Sequence, residues 1–350
     1  MVKTSRLSIL TFLLISCLLL QTTPAQASIS TGDKCTKAGR LQQVKFMTYA
    51  CTKVQGTLVW RPRENAKEIA SSPVIKYFNS EFKKFRTKIP NTDVSNLYTL
   101  ETEESTKSYL WTKDSINSIS TSINLISALG VVPTSSIKFV NFWNAEWARP
   151  LLPDWCFIGS GGGACGNQNA YTNLKWFADS GNHSNTNPNV YQDETQKFLI
   201  TANLPHEIGH IAQGTLREMQ GDLEAYRNDQ AWYREGGAEL TKVFWYAHTN
   251  NVTYSFARNL YIKNMDIRCK SVSLTALSSS GSTERGCEYN VGFLALEYLL
   301  WKIKDIKALY RNYANLNSRT TFGETFEVTY GLDFKKFVEE ADKYVKEQRI

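Results

Sequence analysis

Residues 206–210 read His-Glu-Ile-Gly-His, two imidazoles four residues apart with a carboxylate between them. On a helix, side chains at i and i+4 lie on one face about 5–6 Å apart, close enough for His206 and His210 to reach a single zinc ion. Glu207 projects about 100° around the same helix. Its carboxylate therefore falls beside a water on the metal rather than on the metal itself, the place of a general base. The chain has only four histidines, His183, His206, His210 and His248, and two of them belong to this segment.

A catalytic zinc takes three protein ligands and leaves a fourth position open, so one more ligand is needed. Residues 232–240 read Trp-Tyr-Arg-Glu-Gly-Gly-Ala-Glu-Leu, on a helix expected over about 229–246. Glu235 and Glu239 share one face of it, and either can complete the site. Gly236 and Gly237 each cost about 1 kcal/mol inside a helix relative to alanine. They belong where two helices approach closely around an ion.

Other elements must hold these side chains in place. The helix carrying His206 is expected to begin with Thr201 as its cap and Pro205 in its first turn, where a missing N–H is tolerated. Upstream, residues 73–85 (Val74, Tyr77, Phe78, Phe82, Phe85) and 107–129 (Leu110, Ile116, Ile119, Ile123, Ile126) show helical apolar spacing. Gly130 ends the second, and 137–143 reads as a strand. The glycine-dense segment 159–166 and the Asn/Gly/Ser-rich segment 167–189 read as loops, the first a surface turn stapled by its cysteines. It has no lysine where a phosphate loop requires one. His183 falls in the second loop, and His248 is expected to follow the Glu235 helix and cap its C-terminus.

The HEIGH and WYREGGAEL segments together resemble the gluzincin zinc metallopeptidases, above all the catalytic domain of the family-M1 aminopeptidases, in which an HExxH helix precedes a WxxEGxAE helix. The resemblance implies that His206, His210 and Glu235 bind Zn2+ and that Glu207 is the general base. It makes Glu239 a carboxylate that holds a ligand histidine in its binding tautomer. Residues 289–299 (YNVGFLALEYL) resemble the YxKG tyrosine helix of that family, which gives Tyr289 the role of stabilising the oxyanion. Residues 322–345 resemble its closing helices, so the likeness spans roughly 195–350. Val291 stands in place of the lysine, and no GxMEN segment precedes HEIGH, so the exopeptidase signature is missing.

The implied architecture is α+β: a zincin-like metallopeptidase domain with a mostly helical C-terminal half, preceded by a small disulfide-stapled β-hairpin module. The implied function is zinc-dependent hydrolysis of peptide or protein substrates. The same residues would also suit a catalytically silent zincin-fold module that binds cell-wall polymer or protein, or a zinc hydrolase of a non-peptide substrate. Glu207 beside both histidines speaks against a silent module, which has no need of a base.

The 350 residues are 42% hydrophobic and 21% charged, with a mean hydropathy of -0.35, which excludes disordered, collagenous and coiled-coil chains. Lys3 and Arg6, the apolar run 7–20 and the small-residue pattern Ala25-Gln26-Ala27 read as a secretory signal peptide over 1–27. The run is too short for the ~20 residues of a spanning helix, so no transmembrane segment is expected after cleavage. Leu14-Ile15-Ser16-Cys17 carries the competing reading of a lipid-modified Cys17. The formal charge of +7 is far from a nucleic-acid footprint. The remaining cysteines fall into sequence-local couples, Cys35 with Cys51, Cys156 with Cys165 and Cys269 with Cys287, the pairings of lowest loop-closure cost. Six cysteines in an exported chain read as disulfides of a secreted protein.

Within residues 28–65, segments 44–51 and 57–60 read as two strands joined through Gly56. This Cys-stapled β module resembles one found on exported bacterial proteins, which makes cell-wall polymer a candidate partner. Residues 66–350 form the zincin-like domain, mixed α/β over 66–194 and helical over 195–350.

Overall fold

A computed structural model describes residues 33–44, 47–54, 56–63, 72–166, 168–179, 187–222, 228–263, 265–278 and 286–348. The signal-peptide reading, Cys17 and His183 lie outside the described residues. Strands β1 (Leu41–Val44), β2 (Met47–Val54) and β3 (Thr57–Arg63) form an antiparallel sheet in that order. The hairpin read from the sequence is thus a three-stranded sheet. β1 is hidden in the sequence because Gln42 and Gln43, its two central residues, carry no apolar alternation. Gly56 turns β2 into β3 with a φ of 88°. Cys51 lies opposite Trp60 in register, and its disulfide to Cys35 closes a small core with Tyr49 and Trp60. Arg61 fastens this sheet to the body by donating from Nη1 to the Asn250 carbonyl at 2.9 Å.

Helix α1 (Pro73–Phe85) starts where the Ser72 side chain accepts from Ile75 N–H and Pro73 occupies the first turn. Its stripe of Val74, Ile75, Phe78, Phe82 and Phe85 is buried. Strand β4 (Tyr98–Thr102), helix α2 (Leu110–Ala128) and strand β5 (Ile137–Phe142) follow as a parallel β-α-β unit, and Gly130 ends the α2 turn at a φ of 94°. The segments read as loops then supply two more strands, β6 (Gly162–Cys165) and β7 (Asn169–Asn173). The sheet order is β4-β5-β7-β6, with β6 antiparallel at the edge. The sequence hides both strands for a physical reason. Gly162 and Gly163 carry no side-chain pattern, while asparagines bracket the buried Ala170, Tyr171 and Thr172 of β7.

The main helices of the helical half are α3 (Glu194–Thr201), α4 (Asn203–Met219), α5 (Ala231–Thr249), α6 (Tyr254–Ile262), α7 (Cys287–Ile303), α8 (Phe322–Tyr330) and α9 (Phe334–Glu347), with a short helical turn at Leu274–Ser278. A single apolar core runs from α1 through α2 and β5 into these helices. Helix α4 lies between strands β6 and β7 on one side and α5 on the other, and α5 is held between α4 and α7. Thr201 does not cap α4: its hydroxyl donates to the Lys197 carbonyl within α3, and Ala202, which has no capping side chain, precedes α4. Pro205 does sit in the first turn.

The two glycines of α5 serve different neighbours. A Cβ on Gly236 would come within 2.2 Å of the Gly292 carbonyl carbon, and one on Gly292 within 1.9 Å of the Trp232 carbonyl oxygen. Gly236 therefore sets the backbone contact of α5 with α7. Only Gly237 faces α4, with Gln213 Nε2 3.0 Å from its would-be Cβ. The close approach of α4 to α5 belongs to Gly209, whose Cβ would meet the Ala238 Cα at 2.9 Å. The expectation that both α5 glycines draw helices together around an ion is corrected accordingly.

The three expected disulfides are all present. Cys156 and Cys165 are buried, so their bridge braces the edge of the sheet rather than a surface turn. Among the described residues no helix is long and apolar enough to cross a membrane.

A buried polar knot ties α6, α7 and α9 together. Glu297, fully buried, accepts from Arg258 Nε at 2.7 Å, from the Tyr254 hydroxyl at 2.6 Å and from the Tyr344 hydroxyl at 2.6 Å. Removing one partner of such a pair leaves an uncompensated buried charge and costs about 3–5 kcal/mol. Glu297→Ala is expected to lose stability of that order in urea unfolding. A loss under about 1 kcal/mol would show that Arg258 reaches water without its partner.

Candidate metal centre

Helix α4 has an apolar face that packs on α2 and the sheet, and the same rotation turns His206, Glu207 and His210 toward α5 and strand β6. The two histidine Nε2 atoms face each other at 3.1 Å. Glu235 Oε2, from α5, lies 3.1 Å from His210 Nε2 and 3.6 Å from His206 Nε2. A tetrahedral ion with bonds of 2.0–2.1 Å sets its ligand atoms about 3.3 Å apart, close to this spacing. Glu235 Oε2 is also buried and accepts no hydrogen bond, which is costly unless a cation meets it. The three groups are thus of the right type, number and separation for zinc.

The opposite ring nitrogen of each histidine faces a polar side chain. Gln213 donates from Nε2 to the Arg234 carbonyl at 2.8 Å, which points its Oε1 at His210 Nδ1, 2.9 Å away. The Nδ1 must then carry the proton, leaving Nε2 free as a ligand atom. His206 Nδ1 is 3.1 Å from Glu239 Oε1, a charge contact rather than a hydrogen bond. Lys242 Nζ approaches Glu239 Oε2 at 3.3 Å. Of the two α5 carboxylates, Glu235 reaches the shared point and Glu239 sits behind a histidine.

The buried charges of the pocket shift one another. Burial pulls the His206 pKa down, but the Glu239 and Glu235 carboxylates outweigh it and push it up to about 10. Burial works to raise Glu235, yet His210 and His206 hold it well below the usual carboxylate range. Glu239 is likewise lowered against its burial, by Lys242 and His206. Glu207 is raised, because burial prevails over the pull of both imidazoles. Around these buried carboxylates stand the two imidazoles, Lys242 Nζ 3.3 Å from Glu239 Oε2 and Arg234 Nε 3.1 Å from Glu235 Oε1.

The cleft, about 300 Å³, is walled by β6 on one side and by Glu207, His210, Glu235 and Tyr289 on the other. Gly162 of β6 leaves room for the Asn203 and Glu207 side chains, whose Nδ2 and Oε1 would lie 2.0 and 2.8 Å from a Cβ there. Tyr289, at the start of α7 two residues after Cys287, stacks its ring on His206 with centroids 5.8 Å apart and planes 21° apart. It is 36% exposed and therefore no core tyrosine. Partial burial and the Glu235 and Glu207 carboxylates raise its hydroxyl pKa, so the group stays protonated and able to donate.

His206, Glu207, His210, Glu235, Glu239 and Tyr289 thus lie together. His248 stands apart, in the last turn of α5 rather than after it, where burial and Arg86 lower its pKa. Sequence reasoning missed Gln213, which shares a helix face with His210 at i+3 and was legible by that spacing. It also missed Lys242, Arg217, Arg234 and the β6 wall. No protein-family model, curated protein or solved structure matches this chain.

Proposed function

We propose that the protein is a secreted zinc-dependent peptidase of the gluzincin type, with a zincin-like fold. The observation that carries this reading is the convergence of His206 Nε2, His210 Nε2 and Glu235 Oε2, with Glu207 in the same cleft and outside that ligand set. A bound zinc supplies a Lewis acid and lowers the pKa of water toward about 7. Glu207 takes the proton of the attacking water and passes it to the leaving amine. The Tyr289 hydroxyl donates to the oxygen that gains negative charge at the scissile carbonyl. Glu239 and Gln213 keep the two imidazoles oriented.

A peptide substrate is favoured by β6, an edge strand that borders the cleft. Edge strands present unpaired backbone groups on which an extended chain can add as a further strand, and the two glycines let that chain approach closely. Three disulfides support an oxidising, extracellular compartment.

Zinc-loaded protein is expected to cut members of a broad peptide library, to stop when treated with a chelator and to recover with added zinc. An intact library under zinc-loaded conditions would defeat the reading. Tyr289→Phe should lower kcat by about 10²-fold with zinc content and unfolding midpoint nearly unchanged, since the stacked ring remains and only the donor is lost. A fully active variant would reduce Tyr289 to a packing role.

A further inference from the structure

We propose that Arg217 and Arg234 form a carboxylate-binding subsite at the His210 end of the cleft. Preferred peptides would then carry a carboxylate close to the bond that is cut. This rests on the peptidase reading and names its substrate class. Arg217 follows His210 by two turns of α4, Arg234 immediately precedes Glu235 on α5, and both line the cleft. They are not mobile surface cations. The fully buried Asp229 carboxylate holds both, with Oδ2 3.5 Å from Arg217 Nη1 and 3.4 Å from Arg234 Nη1. Arg234 Nε also donates to Glu235 Oε1 at 3.1 Å, and the Arg217 guanidinium lies over the Tyr313 ring at 5.8 Å.

These contacts leave most of the donors unused. A guanidinium has five N–H groups in a fixed fork, and neither Nη2 donates to any described residue. With side-chain exposures of 24% and 36%, the two heads are partly desolvated yet open to the cleft. A pair of forks anchored from behind by one buried acid, with their outer edges free, is matched to a planar carboxylate. Such a group reaches the cleft from a chain terminus or from an Asp or Glu side chain.

The test uses zinc-loaded, full-length Glu207→Gln protein, which separates binding from turnover, and three probes. These are acetyl-tetra-alanine with a free C-terminus, its C-terminal amide, and the amide with Glu at the third position. At least one carboxylate-bearing probe is expected to bind about tenfold or more tightly than the neutral amide, as charge-assisted hydrogen bonds imply. Which probe does so identifies the source of the carboxylate. Arg217→Gln in the same background should reduce the preference to under about threefold, with Arg217→Lys falling between. Equal binding of all three probes overturns the proposal without any variant having to fold. So does a preference that survives both Arg217→Gln and Arg234→Gln. If wild-type protein cuts the neutral amide as fast as the others, the subsite falls and the peptidase reading stands. If no peptide is bound or cut, both fall.

Discussion

Glu207→Gln is expected to keep one zinc per chain and to lower peptide hydrolysis by about 10²- to 10⁴-fold. The amide is nearly the size of the carboxylate, so it fits the same place beside Gly162. It also leaves untouched the three atoms that converge on the metal point. What it cannot do is accept a proton, and every step in which Glu207 moves one is lost. Metal analysis and initial rates on one good substrate decide the matter. A variant that retains zinc and more than a tenth of the rate would remove Glu207 from the mechanism. If wild type and variant were equally inert on every peptide but bound the same partner with equal affinity, the protein would be a binding module.

The second large effect separates the two α5 carboxylates. Glu235→Ala is expected to weaken zinc binding on the order of 10³-fold, about one ligand's share of the free energy of a structural zinc site. Glu239→Ala should cost only the 10- to 100-fold typical of a group that orients a ligand. It should also lower stability, because Lys242 is buried and loses its carboxylate partner at 3.3 Å. Competition against a chromophoric chelator measures both affinities. The reverse order would exchange the roles of Glu235 and Glu239.

The parts of this architecture that repeat along a helix were legible from sequence. The bounds of α1 follow from its apolar stripe and its Ser72-Pro73 start. The pairing of His206 and His210 with the α5 carboxylates follows from two i, i+4 pairs, while the choice of Glu235 over Glu239 came only from the resemblance. The local disulfide couples follow from short loops. Legibility failed where side chains carry no period. β6 is half glycine and reads as a loop, although it is a wall of the cleft. Gly236 gives no hint of which neighbour it approaches, because its partner Gly292 lies on a helix that comes from far along the chain. Arg217 and Arg234 look like ordinary solvated charges until the fold places Asp229 between them.

The backbone contact between Gly236 and Gly292 bears on how the protein opens from moment to moment. Helix α5 is gripped by α7 behind and α4 in front, and no fluctuation can lift it away alone, since both neighbours would have to move first. Its amide protons should therefore exchange with deuterium only through the rarest, near-global openings, whereas those of the short edge strand β6 exchange through frequent local ones. Glu235 would then ride on a helix that opens rarely. The opposite wall of the cleft is expected to open locally more often than the helix that carries Glu235.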